Sequence, residues 1–343
     1  MCNGNPRRKG TVTLAHTFGA CLEQAGARVF WACTALLQMV VMGADASNAF
    51  AEASPPKSPL YVIVDKQYRE WWEAKGRDPI PPGHVLPVQH ALQGHPESPR
   101  LWAQMIDKII RTHVGLQPCR HEPCLYHGIV DGELVLFLRQ VDDFAVTCSD
   151  TVISDKVIDL ISAHLSAPMK KLGVVTRYNG VDINQTSDYI KIHSTTYLKK
   201  ILENHDWNND KEKCHVAPIP MKEDASYQTI LDTTPVPTND IEREQLENDM
   251  GYSYRQALGE VLFAMVTCRP DISFCVIKLS KYSNNPGREH YLALKSIFKY
   301  LRCTMDDGIM YWKKNTHTHK YLIPPTVPRL FHKQNPKPNN QRE

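Results

Sequence analysis

Residues 139–144 read Arg-Gln-Val-Asp-Asp-Phe. Two adjacent carboxylates, Asp142 and Asp143, stand between the apolar run Leu134–Leu138 and a second extended run from Phe144 to Cys148. A third carboxylate, Asp45, follows the apolar stretch Met39–Gly43 and precedes Ala-Ser-Asn-Ala-Phe. Acids at the ends of two strands can converge. Hard divalent cations seek such oxygens, and Mg²⁺ usually takes one or two carboxylates together with substrate phosphates. Two such ions roughly 3.5–4 Å apart activate an attacking hydroxyl and stabilise the leaving oxygen in phosphoryl transfer to a nucleic acid. In that arrangement Asp45 and Asp142 are the expected bridging ligands, and Asp143, projecting the other way along an extended chain, supports them. Two acids on a turn are more often simply solvated, so the weight rests on the segments around them.

The elements that position these acids follow from periodicity and breakers. Cys124–Val130 and Glu133–Arg139 flank Asp131-Gly132, a strong two-residue hairpin signal. Ser98 and Pro99 form an N-cap and a first helical residue. The helix they start has an apolar face at Trp102, Met105, Ile106, Ile109, Ile110 and His113. A second amphipathic helix is marked by Ile153, Val157, Leu160, Ile161 and Leu165, with Thr151 or Asp150 as its cap. Trp31–Met39 is expected to be helical, and the Pro-rich stretch from Pro55 to Pro82 to be a surface connection. Strand, helix, paired strands, helix is the order of a split βαβ unit, an α+β arrangement with an antiparallel sheet and helices on one face. Residues 206–250, rich in acids and Lys, read as a linker or insertion. Helices with apolar faces at Tyr254, Leu258, Val261, Leu262 and Met265, and at Ile272, Cys275, Val276 and Leu279, are expected after it.

These residues resemble the reverse transcriptase region of copia-type long-terminal-repeat retrotransposons, over about Thr11 to Trp312. Asp45–Phe50 resembles the family's Asp-x-x-x-Ala-Phe strand, and Gln140-Val141-Asp142-Asp143 its Tyr-Val-Asp-Asp box. Gln93 to Pro99 resembles the segment that contacts the incoming nucleotide and template. Met169–Gly173 and Tyr178–Ile183 look like the approach to the primer-grip hairpin. Tyr254–Gly259 and Thr267–Ile272 resemble the helical region beyond the palm. The resemblance implies an RNA-directed DNA polymerase with a right-hand palm and a helical thumb- or connection-like subdomain. It implies Mg²⁺ or Mn²⁺ at Asp45, Asp142 and Asp143, a template–primer of RNA or DNA, and deoxynucleoside triphosphates as substrates. It makes Phe50 a steric gate against a ribose 2′-hydroxyl and places Gln93 and Gly94 in the nucleotide pocket. Arg28, seventeen residues before Asp45, would reach the triphosphate.

The implied division is a shortened fingers remnant over 1–30, a palm over 31–205, the linker over 206–250, the helical region over 251–312 and a basic tail over 313–343. Gln140 departs from the pattern by replacing the usual Tyr. Only 44 residues precede Asp45, among them the basic Arg7, Arg8 and Lys9, and no Asp-rich ribonuclease H pattern follows Trp312. A catalytically inactive, transposon-derived remnant is therefore the alternative expectation.

Composition narrows the remaining classes. A hydrophobic fraction of 42% over 343 residues is enough for a core and about two domains. No apolar run of about 18 residues and no charged-then-apolar leader occurs, so an intracellular chain, cytoplasmic or nuclear, is expected, with neither membrane span nor secretory signal. Ten scattered cysteines fit reduced, packed thiols. Cys119, His121 and Cys124 lack a second ligand pair at zinc spacing and are expected to be loop and strand residues. Neither G-x-G-x-x-G nor G-x-x-x-x-G-K-[ST] occurs, which argues against dinucleotide-binding and P-loop enzymes. The net charge of +3 is small, but residues 313–343 hold seven Lys or Arg and one acid among prolines. Such a tail cannot bury much surface and is expected to touch phosphates at most nonspecifically.

Overall fold

A computed structural model describes residues 18–57, 60–207, 219–222 and 224–313. The described residues up to Lys313 form one unit. The basic residues Arg7 to Lys9, part of the expected linker at 208–218 and the tail from 314 onward lie outside the described residues.

Helix α1 (Gln24–Leu36) leads into strand β1 (Val40–Asp45) and a single turn, α2 (Ala49–Glu52). The Pro-rich connection that follows carries β2 (Tyr61–Ile63), α3 (Lys66–Ala74) and β3 (Val85–Pro87), with β2 and β3 paired as a small sheet of their own. Then come α4 (Ser98–Ile109), β4 (Gln117–Pro118), β5 (Leu125–Val130), β6 (Glu133–Gln140), β7 (Asp143–Cys148), α5 (Thr151–Ser162) and β8 (Lys170–Val174). Six of these strands form one sheet in the order β4-β5-β6-β7-β1-β8, antiparallel at every pairing. Asp131 and Gly132 both adopt positive φ, +51° and +85°, as a two-residue turn between β5 and β6 requires.

The sheet is buried on both faces, whereas helices were expected on one. Val135, Phe137, Phe144 and Val146 pack with Trp102, Ile106, Val157 and Ile161 of α4 and α5. Val41, Leu138 and Ala145 point the other way, toward Phe30 and Trp31 of α1 and a second sheet. Successive residues such as Phe144 and Ala145 are both apolar, the mark of a strand covered from two sides. The second sheet holds β9 (Arg177–Tyr178), β10 (Val181–Gln185), β11 (Tyr189–His193) and β12 (Gly308–Trp312) in the order β12-β11-β10-β9.

Helices α6 (Thr195–Asn204), α7 (Ala225–Thr233), α8 (Asp240–Met250), α9 (Tyr254–Thr267), α10 (Ser273–Ser280) and α11 (Arg288–Cys303) enclose a separate core. Tyr254, Leu258, Val261, Ile272, Cys275, Val276 and Leu279 are buried in it, and Leu262 and Met265 lie half-buried at its margin. The expected linker is thus partly helical. Asp224 and Asn239 cap α7 and α8 by accepting from the backbone N–H groups of Tyr227 and Glu242, and Leu231 anchors α7. No residue of α8 is buried, which removes the periodic signal that betrays a helix.

Three local expectations shift. Helix α1 begins seven residues earlier than its apolar run, because its start is set by a distant carboxylate described below. Ser98 lies inside α4, where its hydroxyl donates to the Leu92 carbonyl at 2.7 Å instead of capping the helix. His113 is exposed and stacks on His164 at 3.6 Å, because the chain widens into a π-turn over Ile110–Val114 that rotates it off the apolar face. At α5 it is Asp150 that caps, accepting from the Val152 N–H at 2.8 Å. Among the described residues no helix is long and apolar enough to cross a membrane.

Candidate active site

Strands β6 and β7 are joined by the two-residue turn Val141-Asp142, with Gln140 paired to Asp143 across the ladder. Strand β1 lies on the other side of β7, and its register sets Asp45 directly opposite Asp143. Directly opposed residues of an antiparallel pair project to the same face with Cβ atoms about 4.5–5.5 Å apart. The register therefore sets Asp45 and Asp143 side by side on one face of the ladder. Asp142 is lifted out of the ladder by the turn, and its carbonyl accepts from the Ala46 N–H at 3.0 Å. On the far edge of β1, Lys170 of β8 stands opposite Asp45, while its neighbour Lys171 pairs with Asp159 at 2.8 Å.

Burial, and then the charges of Asp142 and Asp45, push the Asp143 carboxyl above the usual carboxylate range. The Asn179 N–H, which donates to Asp143 Oδ2 at 3.3 Å, and the Arg177 guanidinium act in the opposite direction. A cluster of carboxylates that repel one another is the donor set a hard divalent cation relieves. Among the described residues no three His, Cys, Asp or Glu side chains already form a metal cage.

The turn itself is strained. Val141 adopts φ +53°, left-handed backbone that a β-branched residue rarely enters, at a cost of about 1–3 kcal/mol. The indole N–H of Trp102, a side chain only 1% exposed, donates to the Val141 carbonyl at 2.7 Å. On the other side, Gln140 Oε1 accepts from the Leu22 N–H at 2.9 Å. Leu22 belongs to a short strap before α1. The Cys124 thiol donates to the Ala20 carbonyl at 3.4 Å, and the buried Glu122 carboxylate accepts from the N–H groups of Glu23 and Cys124, both at 2.9 Å. Glu122 so supplies an acceptor and a negative charge at the start of α1, where helix N-termini favour both. Gly26 is required there, since a Cβ would lie 2.6 Å from Glu122 Cγ.

An open cleft of about 290 Å³ lies beside the turn, lined by Asn48, Phe50, Ala91, Gln93, Val141 and Asp142 among others. Phe50 sits on α2, half-buried against the core. Glu52 fixes the end of α2. Burial would raise its carboxyl, but bonds from the Ser166 N–H and hydroxyl and the Ala167 N–H more than offset this and hold it low. The segment bearing Gln93 is tied on by the Ala91 N–H, which donates to the Ala53 carbonyl at 3.1 Å. Gly94 follows at φ +89°, a conformation that suits glycine.

Phe50, Gln93 and Asp142 thus meet at one cleft, with Asp45 and Asp143 on the adjoining ladder. Arg28 does not join them. Its guanidinium donates to the Val266 carbonyl in the last turn of α9, at 3.0 Å, where the carbonyl end of a helix attracts cations. Cys119 is half-buried and Cys124 fully buried, and among the described residues no metal-holding set surrounds them.

Residues 13–222 match the profile of the family described as reverse transcriptase (RNA-dependent DNA polymerase). The chain belongs to this family. It is 25% identical over 314 residues to the retrovirus-related Pol polyprotein from transposon TNT 1-94 of Nicotiana tabacum, covering 91% of this chain and 22% of that protein. It is 23% identical over 317 residues to the Pol polyprotein from transposon RE2 of Arabidopsis thaliana, covering 92% of the chain and 20% of the relative. The chain therefore spans about a fifth of the length of the curated relatives it matches. A solved structure of telomerase from Candida albicans, in complex with a fragment of telomeric RNA, aligns at TM-score 0.30 and 13% identity over 85% of this chain and 50% of the other. The family match, together with the transposon Pol relatives, makes the chain a reverse transcriptase domain of a copia-type element.

Sequence reasoning missed three residues that shape the site of this reverse transcriptase domain. Trp102 reads as ordinary core, Gln140 as a bare departure from the family, and Asn179 as one residue of the approach to the primer-grip hairpin. Only the Asn179-Gly180 pair carries a readable signal, and both residues adopt positive φ.

Proposed function

We propose that Asp45, Asp142 and Asp143 are the carboxylates of an RNA-directed DNA polymerase site that extends a primer on an RNA or DNA template. The observation that supports this best is the register that sets Asp45 against Asp143 while the turn carries Asp142 to the cleft holding Phe50 and Gln93. Asp45, Asp142 and Asp143 would hold Mg²⁺, with Mn²⁺ a workable substitute. Such ions, when bound, promote deprotonation of the primer hydroxyl and neutralise the charge on the departing phosphate.

The protein's own share is positioning, which carries most of phosphoryl-transfer catalysis. The Asn179 N–H orients the Asp143 carboxylate. Phe50 presents a ring to the sugar of the incoming deoxynucleoside triphosphate and leaves no room for a 2′-hydroxyl. Gln93 offers an amide to the base or sugar, and Gly94 lets the backbone turn close beside it. Residues 31–205 act as the palm in this reading. Residues 251–312, together with the helices found within 206–250, serve as a thumb- or connection-like body. Arg28, bonded to Val266, has no part in it. Primer extension by purified parent, Asp45→Asn and Asp142→Asn proteins tests the assignment. Both variants are expected to keep the parent's circular dichroism and to lose extension, and parent-rate extension by Asp142→Asn would overturn it.

A further inference from the structure

The residue of the site least suited to its backbone is Val141. Left-handed φ at a β-branched residue persists only where the surroundings over-determine it, and here the neighbouring bonds do so from several sides. The Trp102 indole N–H holds the Val141 carbonyl, the Ala46 N–H holds the Asp142 carbonyl, and the Asn179 N–H holds the Asp143 carboxylate. Gln140, the ladder partner of Asp143, is tethered through its side chain to the Leu22 N–H. Two of these holds come from side chains that lie outside the cleft lining, one on each side of the turn.

We infer that Trp102 and Gln140 are positioning residues: they hold the Val141-Asp142 turn in its strained form and thereby aim Asp142 and Asp143 at the same reacting phosphate. The geometry supports a tether over mere packing. Trp102 is enclosed by α4 and the sheet core, so its donor has little freedom to follow a moving turn. The strap that receives Gln140 is fixed in turn by Cys124 and Glu122. Gln140 also acquires a purpose here. Its amide oxygen accepts the Leu22 backbone N–H and so ties the turn to the strap.

The catalytic part of this inference rests on the polymerase reading, so its test has two arms. Trp102→Phe keeps most of the bulk and removes the donor, and Gln140→Met keeps the length and removes the acceptor. In single-nucleotide addition, kcat of folded Trp102→Phe is expected to fall about a hundredfold, the scale of a misplacement near 1 Å. Gln140→Met is expected to lose about tenfold, and KM for the nucleotide should change little in either variant. Adding Val141→Gly, which adopts φ +53° without strain, should restore most of the turnover lost in Trp102→Phe. A role in stability alone would lower the melting temperature without that rescue.

The second arm needs no activity. Hydrogen exchange at the Ala46 amide should quicken in Trp102→Phe and slow again in the double variant with Val141→Gly. Parent-level kcat in a folded Trp102→Phe protein, absence of rescue, or unchanged exchange at Ala46 would overturn the inference. If the parent chain extends no primer, the polymerase reading fails while the exchange arm still decides the tether.

Discussion

The six-stranded sheet and the helical body of α6–α11 solve the problem of buried polar groups in opposite ways. In the helical body the buried Arg269 is matched. Arg269, 1% exposed, donates to both oxygens of Asp271 and to the carbonyl and hydroxyl of Thr304, while Tyr300 donates to Asp271 at 2.9 Å. The pairing with Asp271 raises the Arg269 pKa against its burial. At the end of the sheet the groups are mismatched. Three carboxylates share one edge, Val141 is strained, and burial and like charge keep Asp143 above its ordinary range. Natural proteins concentrate such conflicts where they work. The contrast teaches where stability and activity should separate.

The sharpest way to break the contrast is to neutralise one acid. Asp142→Asn should lower primer extension about a thousandfold or more, the consequence of losing several kcal/mol of charge stabilisation, with no fall in melting temperature. Asp143→Asn should likewise remove extension and, by relieving repulsion, raise the melting temperature in calorimetry. A drop in stability on either substitution would show that the carboxylates serve the fold.

The helical body should respond in reverse. Arg269→Met leaves Asp271 and Thr304 without their partner and should destabilise the protein by about 3–5 kcal/mol in urea titration, while the kcat of the protein that remains folded stays near the parent's. A smaller change is expected at the cleft. Phe50→Val should reduce discrimination against ribonucleotides by roughly tenfold to a hundredfold, read as the ratio of kcat/KM for the two sugars. A soluble variant with unchanged selectivity would reject the gate.

The smallest effect concerns pH. His290 is buried, its Nδ1 accepting from the Gly287 N–H at 2.9 Å and its Nε2–H donating to the Leu231 carbonyl at 2.7 Å. Burial holds its pKa below the ordinary imidazole value. The unfolded chain therefore takes up the proton first. Stability should be full above about pH 6.5, the unfolded value, and decline as pH falls below it. His193, lowered by burial as well, adds in the same direction. His290→Gln should flatten the dependence of melting temperature between pH 7 and the acid limb, at roughly 1 kcal/mol of stability lost at neutral pH.

Which parts were legible in the sequence follows from the range of the interactions involved. The β5–β6 hairpin was readable because Asp131-Gly132 states its turn locally, and the helix over Trp102, Ile106 and Ile110 because its face repeats every three or four residues. The carboxylates were readable as strand-end acids flanked by apolar runs. The pairing of Asp45 with Asp143 was not, since nothing near either residue encodes a register between distant strands. The start of α1 was hidden for the same reason, since the N–H of its N-cap Glu23 is held by the distant Glu122. Val141 gave no hint of left-handed backbone, because valine there is held by neighbours and not chosen by propensity. The spacing of Arg28 from Asp45 carried no direction, and α1 turns that side chain to Val266.

The pairing of β1 with β7 also has a temporal side. Asp142 and Asp143 sit on a hairpin that can close as soon as its two strands exist, within microseconds. Asp45 must find its partner across about 100 residues of intervening chain, the kind of distant closure that slows folding. At ribosomal speeds of about 5–20 residues per second, β1 waits about 5–20 seconds beside the exit tunnel before β7 has been made. During that interval Asp45 and the apolar Val40–Ala44 stretch lack their strand partner, and the site comes into being only when the older strand is captured by the younger hairpin.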